Sequence, residues 1–265
     1  MSKHRKKPKQ NKLKILITIL VVTILSLTFV FYFSNLNLQL SPFKGEKKAL
    51  IIDSLCLMQP NEDFINQAKQ FLEETGFKVD LCMGKNVTVD FYKKLPSMGY
   101  KLIIFRVHSA QVFQKASKLP NGTVVFFTGE TYNPMQYTIE MFLEDLKRVR
   151  DPFGNEYFAV TPLLLAKSEG KFSDSIVVVD SCYGLANSFM AETLVKKGCK
   201  VYIAWDWAVT ADYSDKVTLK LLEYLCKEKL TIKEAVEKTM KTIGPDPTYK
   251  SILRYYPTKN GNLKI

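Results

Sequence analysis

Histidine is scarce in this chain, and its cysteines are never closely paired. The 265 residues contain 2 histidines, of which only His108 lies beyond the first fourteen positions. No CxxC spacing occurs among the 5 cysteines, which are Cys56, Cys82, Cys182, Cys199 and Cys226. Zinc sites take their ligands mainly from histidine and from closely spaced cysteines. We therefore expect neither a metal nor another cofactor.

Motifs that identify several common enzyme classes are also missing. No GxGxxG or Walker sequence follows the first predicted strand, which ends at Asp53, so a phosphate-binding loop is not expected there. No GxSxG sequence occurs, which disfavours a serine hydrolase. A doubly wound domain of flavodoxin or receiver type, with Asp53 as its acidic strand end, stays open as an alternative.

The charge is strongly basic, but the basic residues form no pattern typical of nucleic-acid binding. The chain has 38 lysines and arginines against 26 acidic residues, a formal net charge of +12. Residues 1–14 carry 7 of the basic residues and no acidic one, which leaves +5 for the other residues. That remainder is scattered lysine without an arginine-rich cluster, so we expect no nucleic-acid partner.

An uncharged run from Ile15 to Phe33 follows the basic tail. At 1.5 Å per helical residue it would span roughly 28 Å, close to the thickness of a bilayer core. No convincing cleavage site follows it, which favours an uncleaved signal anchor over a signal peptide. The preceding positive charges keep residues 1–14 in the cytoplasm. We expect a single-pass plasma-membrane protein with a linker over 34–47 and an extracellular domain.

From residue 48 to 244, strand and helix patterns alternate, which predicts one α/β domain with a mostly parallel sheet. Apolar, β-branched runs predict strands at 48–53, 77–81, 102–107, 175–181 and 200–205. Helical spacing predicts helices at 61–75, 89–95, 187–197, 214–227 and 232–240. Before residue 175 comes an insertion with predicted strands at 123–128 (in a small hairpin) and 157–160 and a helix at 139–147. We expect residues 245–265 to be irregular.

Two of these strands end in residues that together form a minimal nucleophilic pair. The third strand ends at His108, and the strand over 175–181 is followed by Cys182. Ligands bind at the carboxyl ends of the strands in open α/β sheets. A histidine that can deprotonate a nearby thiol is sufficient to activate a cysteine nucleophile. The pattern therefore predicts a His108/Cys182 dyad.

The same two strand ends resemble those of the caspase-like (clan CD) cysteine peptidases, which include caspases, metacaspases, legumain, gingipains and CHAT domains. The resemblance rests on Ile103–Ser109 and on Val177–Gly184, in the family's order. Asp180-Ser181-Cys182 is similar to the metacaspase version, whereas the following helix and strand are more similar to CHAT and gingipain-type domains. The resemblance covers about 48–240 and implies the caspase-like (caspase-hemoglobinase) three-layer sandwich.

Carried over to this chain, the resemblance implies roles for specific residues. His108 would be the general base and Cys182 the nucleophile. The backbone N–H groups of Cys182 and Ser109 would form the oxyanion hole. Ser109 stands where the family has glycine, which would distort the hole if that position needs a positive φ.

The sequence leaves open whether the substrate has a basic or an acidic side chain before the scissile bond. In metacaspases the aspartate at the position of Asp180 lines the pocket for a basic side chain before the scissile bond (P1). Side chains alternate along a strand, so Arg106 points the same way as His108, and Asp180 points the same way as Cys182. If the two strands are neighbours, Arg106 would lie beside Asp180. An Arg106–Asp180 ion pair would weaken the preference for a basic P1 residue, whereas a free Arg106 would favour an acidic one. Trp205 and Asp206 are further candidates for the pocket wall, with Trp205 equally compatible with the core.

The expected function is therefore that of a membrane-anchored, outward-facing cysteine endopeptidase acting on a protein or peptide. The alternative is a catalytically inactive caspase-like domain that binds or scaffolds at the membrane surface.

Overall fold

The computed structural model describes residues 17–29 and 47–265, which fall into separate compact units that divide between residues 45 and 46. Residues 17–29 form a helix, α1, whose apolar side chains are exposed. It lies within the predicted segment 15–33, whose ends are outside the described residues, as are the predicted tail 1–14 and most of the linker. Within residues 17–29 and 47–265, no helix has the length and apolar character that crossing a membrane requires.

The second unit contains two sheets. Its strands are β1 (Lys47–Asp53), β2 (Phe77–Met83), β3 (Leu102–Arg106), β4 (Ser109–Val112), β5 (Thr123–Thr131), β6 (Leu146–Arg150), β7 (Glu156–Val160), β8 (Ile176–Asp180), β9 (Val201–Trp205) and β10 (Leu253–Tyr256). The central sheet has the order β10-β9-β8-β3-β1-β2, and all its pairs are parallel except β9–β10. The smaller sheet, β4-β5-β7-β6, is antiparallel.

Helices cover both faces of the central sheet. They are α2 (Glu62–Glu74), α3 (Val89–Lys94), α5 (Pro162–Lys167), α6 (Phe189–Lys196), α7 (Ala211–Cys226) and α8 (Ile232–Ile243), whereas the short α4 (Thr138–Phe142) contacts β6 of the small sheet. Alternate strand residues point to opposite faces, and they enter two separate cores. One core joins the sheet to α2, α7 and α8, and the other joins it to α3, α5, α6 and the small sheet.

The helix boundaries follow from capping residues. The side chain of Asn61 accepts the backbone N–H of Phe64 at the start of α2. Thr231 and Glu234 form a reciprocal capping box at the start of α8. Such caps satisfy amide groups that have no partner within the helix.

The mostly parallel α/β sheet is confirmed, with helices on both faces. The strands predicted from apolar runs occur, and so do the five helices predicted outside the insertion, all within a few residues at their ends. β1 starts at Lys47, the last residue of the predicted linker.

The insertion and the C-terminal segment differ from prediction. The helix predicted over 139–147 ends at Phe142, because Glu144 has a φ of 63° that no helix continues through, and residues 146–150 form β6. The predicted hairpin is a four-stranded sheet. Residues 245–265 are not irregular throughout, since they contain β10.

Candidate active site

Three charged residues lie side by side where the central strands end. The register pairs Asp53 of β1 with Arg106 of β3, and Arg106 with Asp180 of β8. All three side chains are almost completely buried. Because β3 and β8 are neighbours, His108 and Cys182 leave the sheet at the same edge, each two residues beyond this row.

His108 and Cys182 both line one cavity of about 260 Å³. Its walls come from the ends of β3 and β8, from the segment that leads into α7, and from the chain after α8. Lining residues central to the site are His108, Asp180, Cys182, Val209 and Tyr249. The structure thus brings the two residues of the predicted dyad to a common cavity at the carboxyl edge of the sheet.

The thiol of Cys182 is held by the backbone of Val209. Its Sγ donates to the carbonyl oxygen of Val209 at 3.3 Å and accepts from the amide of Val209 at 3.5 Å. Burial raises the pKa of the Cys182 thiol; the amide of Val209 opposes this, while the charges of Asp180 and Asp246 add to it. The resting cysteine is therefore a thiol that needs a base to become a nucleophile.

His108 has the protonation state that a base needs. Burial lowers the pKa of its imidazole, the charge of Asp151 acts in the opposite direction, and Arg106 lowers it further. The ring packs against that of Phe127, with centroids 5.7 Å apart. Among the described residues, no hydrogen bond joins the His108 ring to the thiol. Proton transfer to His108 therefore requires the thiol to give up its hydrogen bond to the carbonyl of Val209.

The backbone of Ser109, which the resemblance aligns with a glycine, is not strained. It begins β4, and its φ is not positive, so the backbone freedom of glycine is not required here. Phe127 N–H donates to His108 O at 2.9 Å, which makes these two residues a hydrogen-bonded pair. Such pairs alternate with non-hydrogen-bonded ones in antiparallel strands. The next pair, Ser109 with Phe126, is thus of the second kind, and the Ser109 amide points away from β5.

The hydroxyl of Ser109 links the two strand ends. It donates to the carbonyl oxygen of Cys182 and accepts from the hydroxyl of Ser181 at 2.7 Å. Tyr183, the next residue, has a left-handed backbone with φ 59°. Its ring meets the half-exposed Trp207 edge-on at 5.2 Å between centroids. The hydroxyl of Ser109 on one side and the contact between the Tyr183 and Trp207 rings on the other therefore hold the turn after Cys182 in place.

All three guanidinium nitrogens of Arg106 are hydrogen-bonded, and none of these bonds goes to Asp180. Nε and Nη2 donate to Asp215 at 2.8 and 3.0 Å, and Nη1 donates to both carboxylate oxygens of Asp53. The remaining Nη2 proton reaches the carbonyl of Gln59 at 2.9 Å. Two carboxylates therefore neutralise the guanidinium, and with the side chain 1% exposed it is not free to bind a substrate carboxylate. The prediction that Arg106 lies beside Asp180 is confirmed, but the two are not hydrogen-bonded to each other.

Asp180 is the unsatisfied member of the charged row. Its side chain is 2% exposed, and Oδ2 has no hydrogen-bond partner. Burial and the charge of Asp215 raise the pKa of this carboxyl well above its ordinary value, while Ser214 and Arg106 act in the opposite direction. A buried carboxyl oxygen without a partner is costly. Asp180 lines the cavity, and its carboxyl is the one in the row that keeps an oxygen without a partner.

Two predicted pocket residues lie elsewhere. The Trp205 side chain is fully buried in the α2–α7–α8 core, and its Nε1–H donates to Ser214 Oγ at 2.9 Å. Asp206 accepts from the amide of Ile252 and from Arg254, both at 2.8 Å, and so joins β9 to β10. Neither lines the cavity, because Trp205 points to the face covered by α2, α7 and α8 and Asp206 bonds to the antiparallel neighbour.

Sequence reasoning missed the residues that complete the cavity from the C-terminal side. Val209 and Tyr249 belong to loops without a recognisable motif, and their roles depend on contacts between distant parts of the chain. A larger groove of about 740 Å³ between α2 and α7 contains neither His108 nor Cys182. Within the part of the chain that the structure describes, no three His, Cys, Asp or Glu side chains are placed to share a metal ion.

Comparisons with known proteins add no family assignment. No protein-family model matches the sequence, and no curated protein matches it with significant similarity. Function is therefore inferred from the cavity and from the resemblance of its two strand ends.

Proposed function

We propose that this protein is a caspase-like cysteine endopeptidase in which His108 and Cys182 form the catalytic dyad. One observation carries the proposal. A single cavity at the carboxyl edge of a mostly parallel sheet is lined by His108, Cys182 and Asp180, and Oδ2 of Asp180 is buried without a hydrogen-bond partner. These are a base, a nucleophile and an anchor for a cationic substrate side chain.

The chemistry follows from these groups. The thiol proton passes to the neutral imidazole of His108, and the sulfur attacks the carbonyl carbon of the scissile peptide. The amides of Cys182 and Ser109 would stabilise the oxyanion. His108 then gives its proton to the leaving amine as the C–N bond breaks. Water, deprotonated by His108, hydrolyses the resulting thioester and restores the thiol.

The substrate side chain before the scissile bond is lysine or arginine in this proposal. Asp180 lines the cavity and its Oδ2 has no partner, whereas every guanidinium nitrogen of Arg106 is bonded to Asp53, Asp215 or Gln59. An acidic P1 side chain would have to compete with Asp53 and Asp215 for Arg106. The same reasoning disfavours the acidic alternative that the sequence left open.

Membrane anchoring is part of the proposal. Its support is the sequence: a basic tail over residues 1–14, followed by an uncharged run to Phe33. With the positive charges on the cytoplasmic side, the catalytic domain would face outward from the plasma membrane. Its partners would be the lipid bilayer and an extracellular protein or peptide substrate.

The second candidate is a catalytically inactive caspase-like domain that binds or scaffolds. Two observations favour it. The thiol of Cys182 is hydrogen-bonded to Val209 rather than to His108, and a serine stands at the family's glycine position. The first is weak because catalytic hydrogen bonds often form only with substrate bound. The second is weakened by the unstrained backbone of Ser109.

Covalent labelling separates the two candidates. The full-length protein is treated with a lysyl chloromethylketone peptide, and the modified residue is identified by mass spectrometry. We expect one adduct, on Cys182, that is lost in Cys182→Ala and strongly reduced in His108→Ala. Both variants should also lose peptidase activity while staying folded.

Cys56→Ala is the matched control, because Cys56 is the other partly buried thiol and follows β1, which lies on the other side of β3 from β8. Its labelling and activity should equal those of the wild type. Adducts distributed between Cys56 and Cys182, or none on a folded protein, would reject the dyad and leave the binding domain.

A further inference from the structure

Asp246 is a fully buried carboxylate in the segment after α8, close to the proposed active site. Its side chain is 0% exposed. Oδ1 accepts the amides of Thr248 and Tyr249 at 2.8 and 2.6 Å. Oδ2 accepts the amide and the hydroxyl of Thr210 at 3.2 and 3.1 Å. Four donors from two separate segments thus converge on one side chain.

Both segments are walls of the cavity that contains Cys182. Thr210 follows Val209, whose backbone holds the Cys182 thiol through its N–H and C=O groups. Thr210 also precedes α7, and its hydroxyl donates to Asp246 instead of capping the helix. On the other side, Tyr249 lines the cavity directly. Asp246 therefore connects two walls of the cavity by hydrogen bonds: the Val209–Thr210 segment beside the nucleophile and the C-terminal segment that contains Tyr249.

We propose that Asp246 is a positioning residue that sets the place of the Cys182 thiol and of Tyr249 relative to each other. The kinetic part of this inference rests on the proposed peptidase function. Asp246 touches no reacting atom; it acts through Val209–Thr210 and through the amide of Tyr249. Misplacement of a reacting group by about 1 Å can reduce a rate by roughly 10²-fold. An ionised carboxylate is needed because all four partners are donors, and an amide nitrogen would oppose two of them.

The charge of Asp246 also acts on the thiol, in a direction that helps the test. Although burial opposes it, the amides of Tyr249 and Thr210 lower the pKa of Asp246, so the side chain stays ionised. Its charge in turn contributes to the raised pKa of Cys182. His108 and Asp180 also line this cavity and remain in the variant. Loss of Asp246 should therefore slow catalysis while making the thiol easier to ionise.

The experiment compares Asp246→Asn with Asp206→Asn in the full-length protein. Asp206 also fastens the C-terminal segment, but it does so through Ile252 and the exposed Arg254, away from the cavity. Two quantities are measured: kcat and KM on a fluorogenic peptide with lysine at P1, and the rate of Cys182 alkylation by iodoacetamide across pH. Cys199 and Cys226 are buried, so their alkylation reports unfolding in the same samples.

We expect Asp246→Asn to lower kcat by roughly 10- to 100-fold, to change KM little, and to move the alkylation profile of Cys182 to lower pH. Asp206→Asn should keep wild-type values of both quantities. Equal kcat, KM and alkylation profiles in the two variants would overturn the proposal and show that Asp246 only holds the C-terminal segment in place. If the wild type has no peptidase activity, the proposed function fails. The positioning of the thiol then stands if folded Thr210→Val, which keeps the charge of Asp246, alkylates Cys182 at a changed rate, and it falls if that rate is unchanged.

Thr210→Val keeps the test decisive if Asp246→Asn unfolds, as alkylation of Cys199 and Cys226 would reveal. This variant removes one of the four hydrogen bonds and leaves the charge in place. We expect a several-fold loss of kcat without the shift of the alkylation profile. Wild-type kcat in a folded Thr210→Val protein would overturn the proposal.

Discussion

Arg106 and Asp180 lie opposite each other on neighbouring strands, but their polar atoms have different surroundings. Alternation along the strands was enough to predict that the two would be adjacent. It was not enough to predict their partners, because Asp53 and Asp215 are 53 and 109 residues from Arg106 in the chain. The partners decide the chemistry. Arg106, whose nitrogens are all hydrogen-bonded within the protein, stabilises the fold, whereas Asp180 keeps a carboxyl oxygen without a protein partner.

Asp180→Asn tests the role of that aspartate. We expect kcat/KM for a lysine P1 peptide to fall by roughly 10²-fold, since truncating one partner of a buried charge pair costs about 2–5 kcal/mol. A peptide with norleucine, the uncharged analogue of lysine, is the control and should be cleaved equally by both proteins. Equal loss on both peptides would assign Asp180 to folding rather than to specificity.

The pH dependence gives the same test a second readout. The pKa of Asp180 is raised in the folded protein, so its protonated form is favoured and it contributes stability at low pH that is lost as pH rises through the folded pKa. Over that range kcat/KM for lysine should increase with pH as the carboxyl ionises. Both trends should be weaker in Asp180→Asn, measured by thermal unfolding and by initial rates.

At the level of elements, the strands and helices of the central layer were predictable because burial imposes a simple period on each. β3 and β8 are continuous apolar runs, and α2 and α8 repeat apolar residues on one face. β4 and β6 could not be predicted this way. β6 is Leu-Lys-Arg-Val-Arg with only Leu146 buried, so its strand state depends on pairing with β7. β10 likewise depends on β9.

The candidate site divides in the same way between local and distant information. His108 and Cys182 follow from where two strands end. Val209, Asp246 and Tyr249 approach Cys182 only through the packing of α7 and of the C-terminal segment. Neither the loop before α7 nor the C-terminal segment has a periodic pattern. The C-terminal segment was therefore predicted to be irregular, and none of its residues was assigned a role.

The junction between β3–β4 and β8 provides a prediction about elements. Ser109→Ala removes the hydroxyl that joins the start of β4 to the carbonyl of Cys182. We expect a several-fold lower kcat/KM and a loss of about 1 kcal/mol in the free energy of unfolding. Peptide hydrolysis and urea denaturation measure the two effects.

Ser175→Ala is the matched control for this junction. Its hydroxyl donates to the carbonyl of Tyr100 at 2.5 Å and joins the same two strands at their opposite ends. A similar loss of stability with unchanged activity is expected. If Ser175→Ala slows hydrolysis as much as Ser109→Ala does, the link at Ser109 has no particular connection to the nucleophile.

On the scale of the whole domain, one buried ionic cluster connects the sheet to its helices. Arg106 on β3 contacts Asp53 on β1 and Asp215 on α7, and Asp215 also accepts from Asn61, the cap of α2, at 2.7 Å. The cluster lies at the carboxyl edge, directly behind the cavity. It therefore holds the floor of the site and the covering helices in one arrangement.

Arg106→Met should be the most destabilising of the substitutions considered. It leaves Asp53 and Asp215 buried without their cation, and breaking a buried pair in this way costs about 3–5 kcal/mol. Urea denaturation measures the loss.

Arg254→Met is the control, because the Arg254–Asp206 pair has the same chemistry but a guanidinium side chain that is 59% exposed. Loss of this exposed pair should cost about 0–1 kcal/mol. The deficit of Arg106→Met should shrink as pH falls, since protonation neutralises the two stranded carboxylates. Equal costs for the two arginines, or a deficit independent of pH, would mean that packing rather than charge makes Arg106 important to the domain.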